Sequence, residues 1–148
     1  MRQLRYHIIL LLFGWLLAPA SSLGQSVWGE LTIIGNKTGV SQMKAQEARN
    51  VFRARNTNWS NKIAVSIALP SAKSSISETT ARVIYGTKPA SVQKFWLSIV
   101  FQGRASPPYF FDSDQELIQF VQKTPGAIGV VSSSTDIPSN LSIISIQQ

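Results

Sequence analysis

The sequence contains no cysteine, and its only histidine is His7, close to the N-terminus. Without cysteine the chain forms no disulfide, carries no thiol nucleophile and offers no thiolate to a metal ion. Beyond position 20 no histidine remains. Histidine general-base catalysis, serine–histidine hydrolysis and nearly all zinc sites therefore lack their central residue. We expect a protein that is not an enzyme and that carries no metal or other cofactor.

The chain is basic, but its charged residues are scattered. It has 14 Lys and Arg residues against 7 Asp and Glu residues. A positive charge favours anionic ligands or surfaces without identifying one. A nucleic-acid groove would need clustered Lys and Arg with interleaved aromatic residues. Because the basic residues here do not run together, we expect no nucleic acid among the partners.

The N-terminal segment has the pattern of a secretory signal peptide. Arg2 and Arg5 precede an apolar run over residues 8–17, and Ala18-Pro19-Ala20 supplies small residues for a cleavage site. The run is about half of the ~20 residues that a membrane-spanning helix needs. No cysteine follows it, which excludes a lipid-anchored lipoprotein. We predict a signal peptide at residues 1–20, cleaved after Ala20 or as late as Gly24, and a periplasmic protein with no membrane insertion after cleavage.

The segment that follows, residues 25–148, has the length of one domain. Without Arg2 and Arg5, 12 basic residues remain against 7 acidic ones, a net charge of +5. Predicted strands and helices alternate along this segment. The strands are predicted at 31–34, 63–70, 127–131 and 141–146, and the helices at 43–52, 77–85, 89–100 and 113–121. Ser41 is predicted to cap the first helix, and Asp112 or Ser113 the last. This order predicts an α/β sandwich with a mixed sheet.

Several separated motifs occur together in a recognisable order. They are Asn58-Trp59-Ser60-Asn61-Lys62-Ile63, the tryptophan segment 95–103 that ends in Phe101-Gln102-Gly103, then Pro107-Pro108, and the segment 124–130, which reads Thr-Pro-Gly-Ala-Ile-Gly-Val. In this order they resemble the short bacterial proteins of the phosphate-type periplasmic substrate-binding family. The resemblance spans residues 31–146, and the Pro-Gly-Ala-Ile-Gly stretch is its most specific part.

The resemblance implies a type-II periplasmic-binding-protein-like fold for residues 25–148, reduced in size because full members of the family have two lobes and are considerably longer. It also implies a small inorganic oxyanion as ligand, phosphate first. A membrane permease of an ABC transporter or a sensor protein is the partner that it implies.

Two polar loops can supply an anion site. One follows the first predicted strand, and the other opens the helix that carries Arg82. Unpaired N–H groups and the positive end of the helix dipole favour anions at helix N-termini. The candidate ligand-binding residues are Lys37, Thr38, Ser41, Lys73, Ser74, Ser75, Ser77 and Arg82. Loop polarity and helix capping also account for the hydroxyl residues, and a solvated helix face accounts for Arg82. The Ser-Gly-Thr turn with which the family grips phosphate is not present.

Two functions therefore remain open. The first is an exported solute-binding domain that holds phosphate or a similar oxyanion by helix N-termini, hydroxyls and basic side chains, without covalent chemistry. The second is a ligand-free interaction or sensor-accessory domain of the cell envelope with the same fold. The short length and the missing turn favour the second function, and the ordered motifs favour the first.

Overall fold

The computed structural model describes residues 27–148, and the signal peptide predicted at residues 1–20 lies outside them. The strands are β1 (Leu31–Gly35), β2 (Gln42–Lys44), β3 (Ser66–Pro70), β4 (Tyr109–Phe111), β5 (Ala127–Ser132) and β6 (Ser142–Gln147). The helices are α1 (Ala45–Phe52), α2 (Ser77–Thr80), which continues as a π-helical segment over Ala81–Tyr85, α3 (Pro89–Phe101) and α4 (Asp114–Lys123). In this part of the chain, we find no helix with the length and apolar character required to cross a membrane.

The six strands form one mixed sheet in the order β2-β6-β1-β5-β3-β4. β1 is antiparallel to both of its neighbours, β5 and β6. The other pairs, β2 with β6, β3 with β4, and β3 with β5, are parallel. β1 is therefore the one reversed strand in the sheet of residues 27–148. Its carboxyl end, where Gly35 pairs with Ile128, lies beside the amino ends of β3 and β5.

Both faces of the sheet are covered by helices. On one face, α4 packs its buried side chains Leu117, Ile118 and Val121 against the sheet. On the other face, α1, the π-helical segment and α3 bury a larger cluster that includes Phe52, Ile84 and Trp96. The predicted α/β sandwich with a mixed sheet is confirmed. α4 begins where the sequence predicts, because the hydroxyl of Ser113 accepts a hydrogen bond from the Glu116 backbone N–H at 3.3 Å.

Two local predictions are wrong, and the edge strand β4 was not predicted. Ser41 does not cap a helix, because residues 42–44 form β2 and pair with β6, and α1 begins only at Ala45. β4, which the sequence analysis missed, adds to the edge of β3 directly after Pro107 and Pro108. The strand predicted from Ile63 begins only at Ser66. β2 and β4 are short strands at the two edges of the sheet. Such strands are stabilised by their partner strand, and no local sequence pattern predicts them.

Two of the resembling motifs meet at the start of β5. The Trp59 indole N–H donates a hydrogen bond to the Gly126 carbonyl at 2.8 Å, so that Trp59 is buried as a core residue. Gly126 has a φ of +82°, and a Cβ at this position would lie 2.2 Å from the Ala64 carbonyl oxygen. A Cβ at Gly129 would lie 2.5 Å from Leu117 Cδ2. Both glycines therefore permit a close approach that a side chain would prevent.

Tyr85 joins α1, the π-helical segment and α3, on the face of the sheet that carries the larger buried cluster. Its hydroxyl donates to the Phe52 carbonyl at 2.7 Å and accepts from the Trp96 indole N–H at 3.0 Å. Burial raises the pKa of the Tyr85 phenol above its ordinary value. The Trp96 hydrogen bond and the nearby charge of Arg53 partly oppose this rise. The phenol therefore stays protonated in the folded protein at pH values at which a solvated tyrosine ionises.

Gly126→Ala should lower the free energy of unfolding by about 3 kcal/mol, because the new Cβ meets backbone and the residue has a left-handed conformation. Gly103→Ala is the matched control, since Gly103 has a φ of +65° and nothing within 4 Å of a Cβ. It should cost only about 1 kcal/mol. Urea denaturation of both variants measures the difference, and equal losses would contradict the close contact at Gly126.

Tyr85→Phe should change how stability depends on alkaline pH. The unfolded chain loses the tyrosine proton near pH 10 while the folded chain keeps it, so wild-type stability falls above that pH by about 1.4 kcal/mol per pH unit. The variant lacks this contribution. At neutral pH it is less stable by about 1–3 kcal/mol, because it leaves the Trp96 N–H and the Phe52 carbonyl without this partner. The free energies of unfolding of wild type and of Tyr85→Phe, measured by urea denaturation between pH 8 and pH 11, should therefore converge as the pH rises. Parallel curves would refute a Tyr85 phenol that stays protonated in the folded chain.

Candidate functional site

The loop between β3 and α2, residues 71–76, lies at the carboxyl end of the sheet, where the parallel strands β3, β4 and β5 finish. The Ser71 backbone N–H donates to the Phe111 carbonyl at 2.7 Å, which fixes the start of the loop to the end of β4. The Ser71 hydroxyl donates to Asp112 Oδ1 at 2.5 Å and accepts from the Lys73 backbone N–H at 3.1 Å. Ligands of open α/β sheets bind beyond the carboxyl ends of the strands, which makes this loop the candidate site.

The β3–α2 loop is built from two successive tight turns. The Ser74 N–H donates to the Ser71 carbonyl at 3.0 Å, and the Ser77 N–H donates to the Ser74 carbonyl at 3.1 Å. Among residues 27–148, nothing accepts a hydrogen bond from the backbone N–H of Ser75 or of Ile76. Successive free N–H groups in such turns form a concavity that suits an anion. Ser74 and Ser77 are buried, whereas Ser75 is exposed.

Charge at the loop is nearly balanced. Lys73 Nζ lies 3.7 Å from Asp112 Oδ2, and both side chains are largely exposed. An exposed ion pair of this kind contributes little to stability, so Lys73 can turn from Asp112 towards an anion at small cost. In α2, which follows the loop, the Thr79 hydroxyl donates to Glu30 Oε2 at 2.8 Å.

The loop does not enclose a volume large enough for an oxyanion. The cavity beneath it, bounded by Pro70, Ser77 and Thr80 among others, has a volume of about 20 Å³. That space suits a single water molecule. The Thr80 hydroxyl is buried and finds no hydrogen-bond partner among residues 27–148. An anion at this site would therefore lie on the loop, with one side facing solvent.

The loop after β1 lies at the opposite end of the sheet, because β1 is reversed. Lys37 is exposed with a φ of 52°. Thr38 is buried, and its hydroxyl contacts the backbone of Val40. The Ser41 carbonyl accepts from the Ser145 N–H at 2.9 Å, which ties this loop to β6. The structure thus does not bring Lys37, Thr38 and Ser41 together with the β3–α2 loop.

Arg82 lies on the π-helical segment, beyond the four residues of α2. Its side chain is exposed and makes no hydrogen bond or ion pair within the described part of the chain. Asp112, by contrast, contacts Ser71 and Lys73 of the loop directly, although the sequence analysis considered it only as a helix cap. Its position directly after a strand would have been the signal, but that strand, β4, was missed.

Comparison with known proteins gives matches among solved structures alone. No protein-family model and no curated protein matches this sequence. An ABC-type phosphate transport receptor from Vibrio cholerae is similar to the chain with a TM-score of 0.60 and 16% identity, over 79% of this chain and 46% of the receptor. PstS from Borrelia burgdorferi gives a TM-score of 0.55 and 15% identity, over 80% of this chain and 47% of PstS. A phosphate binding protein from Stenotrophomonas maltophilia gives a TM-score of 0.54 and 16% identity, over 79% and 39%.

These similarities establish the fold. The chain spans less than half the length of the solved structures that it matches. The resemblance found in the sequence motifs is thus confirmed at the level of the fold, because residues 27–148 form a mixed α/β fold similar to part of the phosphate-type periplasmic binding proteins.

Proposed function

We propose that this protein is an exported solute-binding domain that holds phosphate, or a similar small oxyanion, at the β3–α2 loop. The observation that carries the proposal is the pair of free backbone N–H groups, on Ser75 and Ile76, at the carboxyl end of three parallel strands. Export rests on the signal peptide predicted at residues 1–20. The ligand is bound and released without covalent chemistry.

The side chains of the loop complete the proposed site. Ser74 and Ser75 of the loop, and Ser77 at the start of α2, supply hydroxyls, and Lys73 supplies the nearest positive charge. Arg82 is within the same helical element and adds charge at longer range. Because the loop after β1 lies at the other end of the sheet, Lys37, Thr38 and Ser41 are left out of the proposed site.

The solved structures with the same fold support phosphate as the ligand. The proteins from Vibrio cholerae and Stenotrophomonas maltophilia are described as a phosphate transport receptor and a phosphate binding protein. By the same similarity, the permease of an ABC transporter is the partner to which the domain would deliver its ligand. An open loop leaves one side of the ion in water, so we expect weaker binding than a closed two-lobed cleft would give.

An interaction or sensor-accessory domain is the second candidate function. The observation that favours it is an exposed apolar surface on α3 and β4. Leu97 is 57% exposed, and Val100 and Phe110 are each 37% exposed; these three side chains line one concave surface together with Pro107 and Pro108. Large exposed apolar side chains that lie together are typical of protein–protein contacts. On this alternative the domain contacts an envelope protein through these residues and binds no anion.

Isothermal titration calorimetry of the exported form at low salt tests the first proposal. Phosphate should give a saturable heat, and Lys73→Gln should weaken the binding by about threefold to tenfold, since a charged hydrogen bond to the anion is lost. Lys123→Gln, at the end of α4 and outside the loop, removes the same charge and should change the affinity little. Absence of heat from wild type with phosphate and with sulfate would refute the proposal and favour the interaction domain.

A further inference from the structure

A second concave surface, which none of the candidate site residues lines, lies between the end of α1, the end of the π-helical segment and α3. Its volume is about 590 Å³. Four basic side chains line it, Arg53, Arg55, Lys94 and Arg104, together with Tyr85 and Phe95. We call this surface the basic cleft. It is by far larger than the cavity beneath the β3–α2 loop.

Helix polarity alone does not explain this concentration of charge. Arg53 and Arg55 follow α1, where the negative end of the helix dipole favours cations. Buried Ala54 between them has a φ of 56°, so the chain turns sharply at this point. Lys94, however, lies in the middle of α3, and Arg104 follows that helix. The dipole of α3 favours Arg104 in the same way, so Lys94 is the cation whose position helix polarity does not explain.

The four cations have no acidic partner. Within residues 27–148, the single ion pair joins Lys73 and Asp112, outside the cleft. No Asp or Glu lines the cleft. Like charges gathered in one concavity repel one another and raise the local concentration of anions. Three of them are arginines, whose planar guanidinium groups bind phosphate oxygens in a bidentate manner.

The remaining lining residues indicate what else the ligand carries. The volume of the cleft falls in the range of pockets that bind organic molecules of moderate size, and exceeds what one small oxyanion needs. Phe95 and Ile99 offer an apolar wall, and Thr87 and Ser91 offer hydroxyls. The Phe95 ring is held in place by edge contacts with Tyr85 and Trp96, with ring centroids 5.5 and 5.7 Å apart. A fixed aromatic wall beside four cations suits a ligand with an organic part and several phosphate charges.

We propose that the basic cleft is a binding site for an organic molecule that carries two or more phosphate groups. Such chemistry occurs in free polyphosphorylated compounds and in the headgroups of anionic lipids. The site shares no residue with the β3–α2 loop and does not depend on the function proposed for that loop. It assigns a role to Arg53, Arg55, Lys94 and Arg104, which the sequence motifs leave without one.

ATP, tripolyphosphate and inorganic phosphate serve as probes for the exported chain, in calorimetry at two salt concentrations. ATP and tripolyphosphate should bind in a salt-dependent manner, and Arg55→Gln/Arg104→Gln should weaken both by about tenfold or more. The matched control is Lys62→Asn/Lys123→Gln, which removes two charges outside the cleft and should cost less than about threefold. Circular dichroism and thermal melting verify that each variant is folded.

Two further variants separate the parts of the proposal. Phe95→Leu should weaken ATP binding and leave tripolyphosphate binding unchanged, since tripolyphosphate has no organic part to contact the ring. Lys73→Gln should leave ATP binding unchanged, so that a failure at the β3–α2 loop and a failure at the basic cleft are distinguishable.

Vesicles of phosphatidylcholine with and without cardiolipin test the lipid source. Binding to cardiolipin vesicles that Arg55→Gln/Arg104→Gln abolishes would assign the phosphates to a membrane headgroup.

The proposal is overturned if neither ATP, tripolyphosphate nor cardiolipin vesicles bind. It is equally overturned if the two double variants weaken binding by the same factor, because the effect would then follow total charge and not the cleft.

Discussion

The fold depends on the burial of β5 on both of its faces. Residues 127–131 are all buried, and hydrogen bonds to β1 on one side and β3 on the other join the two halves of the sheet through this strand. Its two faces touch different helical layers, with Ala127 and Val131 towards α4 and Ile128 and Val130 towards the larger cluster. Strands covered on both faces are continuously apolar, as this one is. Gly129 then admits Leu117 of α4 to close contact, which a larger residue would prevent.

The same strand determines which loops can share a ligand. Because β5 is parallel to β3 and antiparallel to β1, the loops that follow β3 and β1 open at opposite ends of the sheet. The β3–α2 loop is joined to β4 and Asp112, and the loop after β1 is joined to β6 and the Asn61 side chain. Each group of polar residues is therefore organised by its own neighbours, at its own end of the domain. The basic cleft is a third location, on the larger helical face.

Local sequence patterns were enough where a segment carries its own signals. α4 has a capping serine, acidic residues in its first turn and an apolar face, and β5 has an apolar run directly after the Pro125-Gly126 turn. The β3–α2 loop was recognised by its serines. The reversal of β1, the edge strands β2 and β4, and the contact of Asp112 with the loop depend on pairings between distant segments. The basic cleft was missed for the same reason, since Arg53 and Arg104 are far apart in the chain and no run of basic residues marks them.

The pairing of β1 also has a consequence for how the protein folds. Leu31 pairs with Ser132, and Ile33 pairs with Ile144, so the first strand of the sheet finds both of its partners near the other end of the chain. Contacts between residues so distant in sequence form only after a large loss of chain entropy, and they make folding slow. The helices and the β3–β4 pair can form earlier, but the middle of the sheet stays open until β5 and β6 are available. During synthesis the apolar residues of β1 are therefore exposed until nearly the whole domain has been made, and a chain in that state can still pass unfolded through a narrow channel.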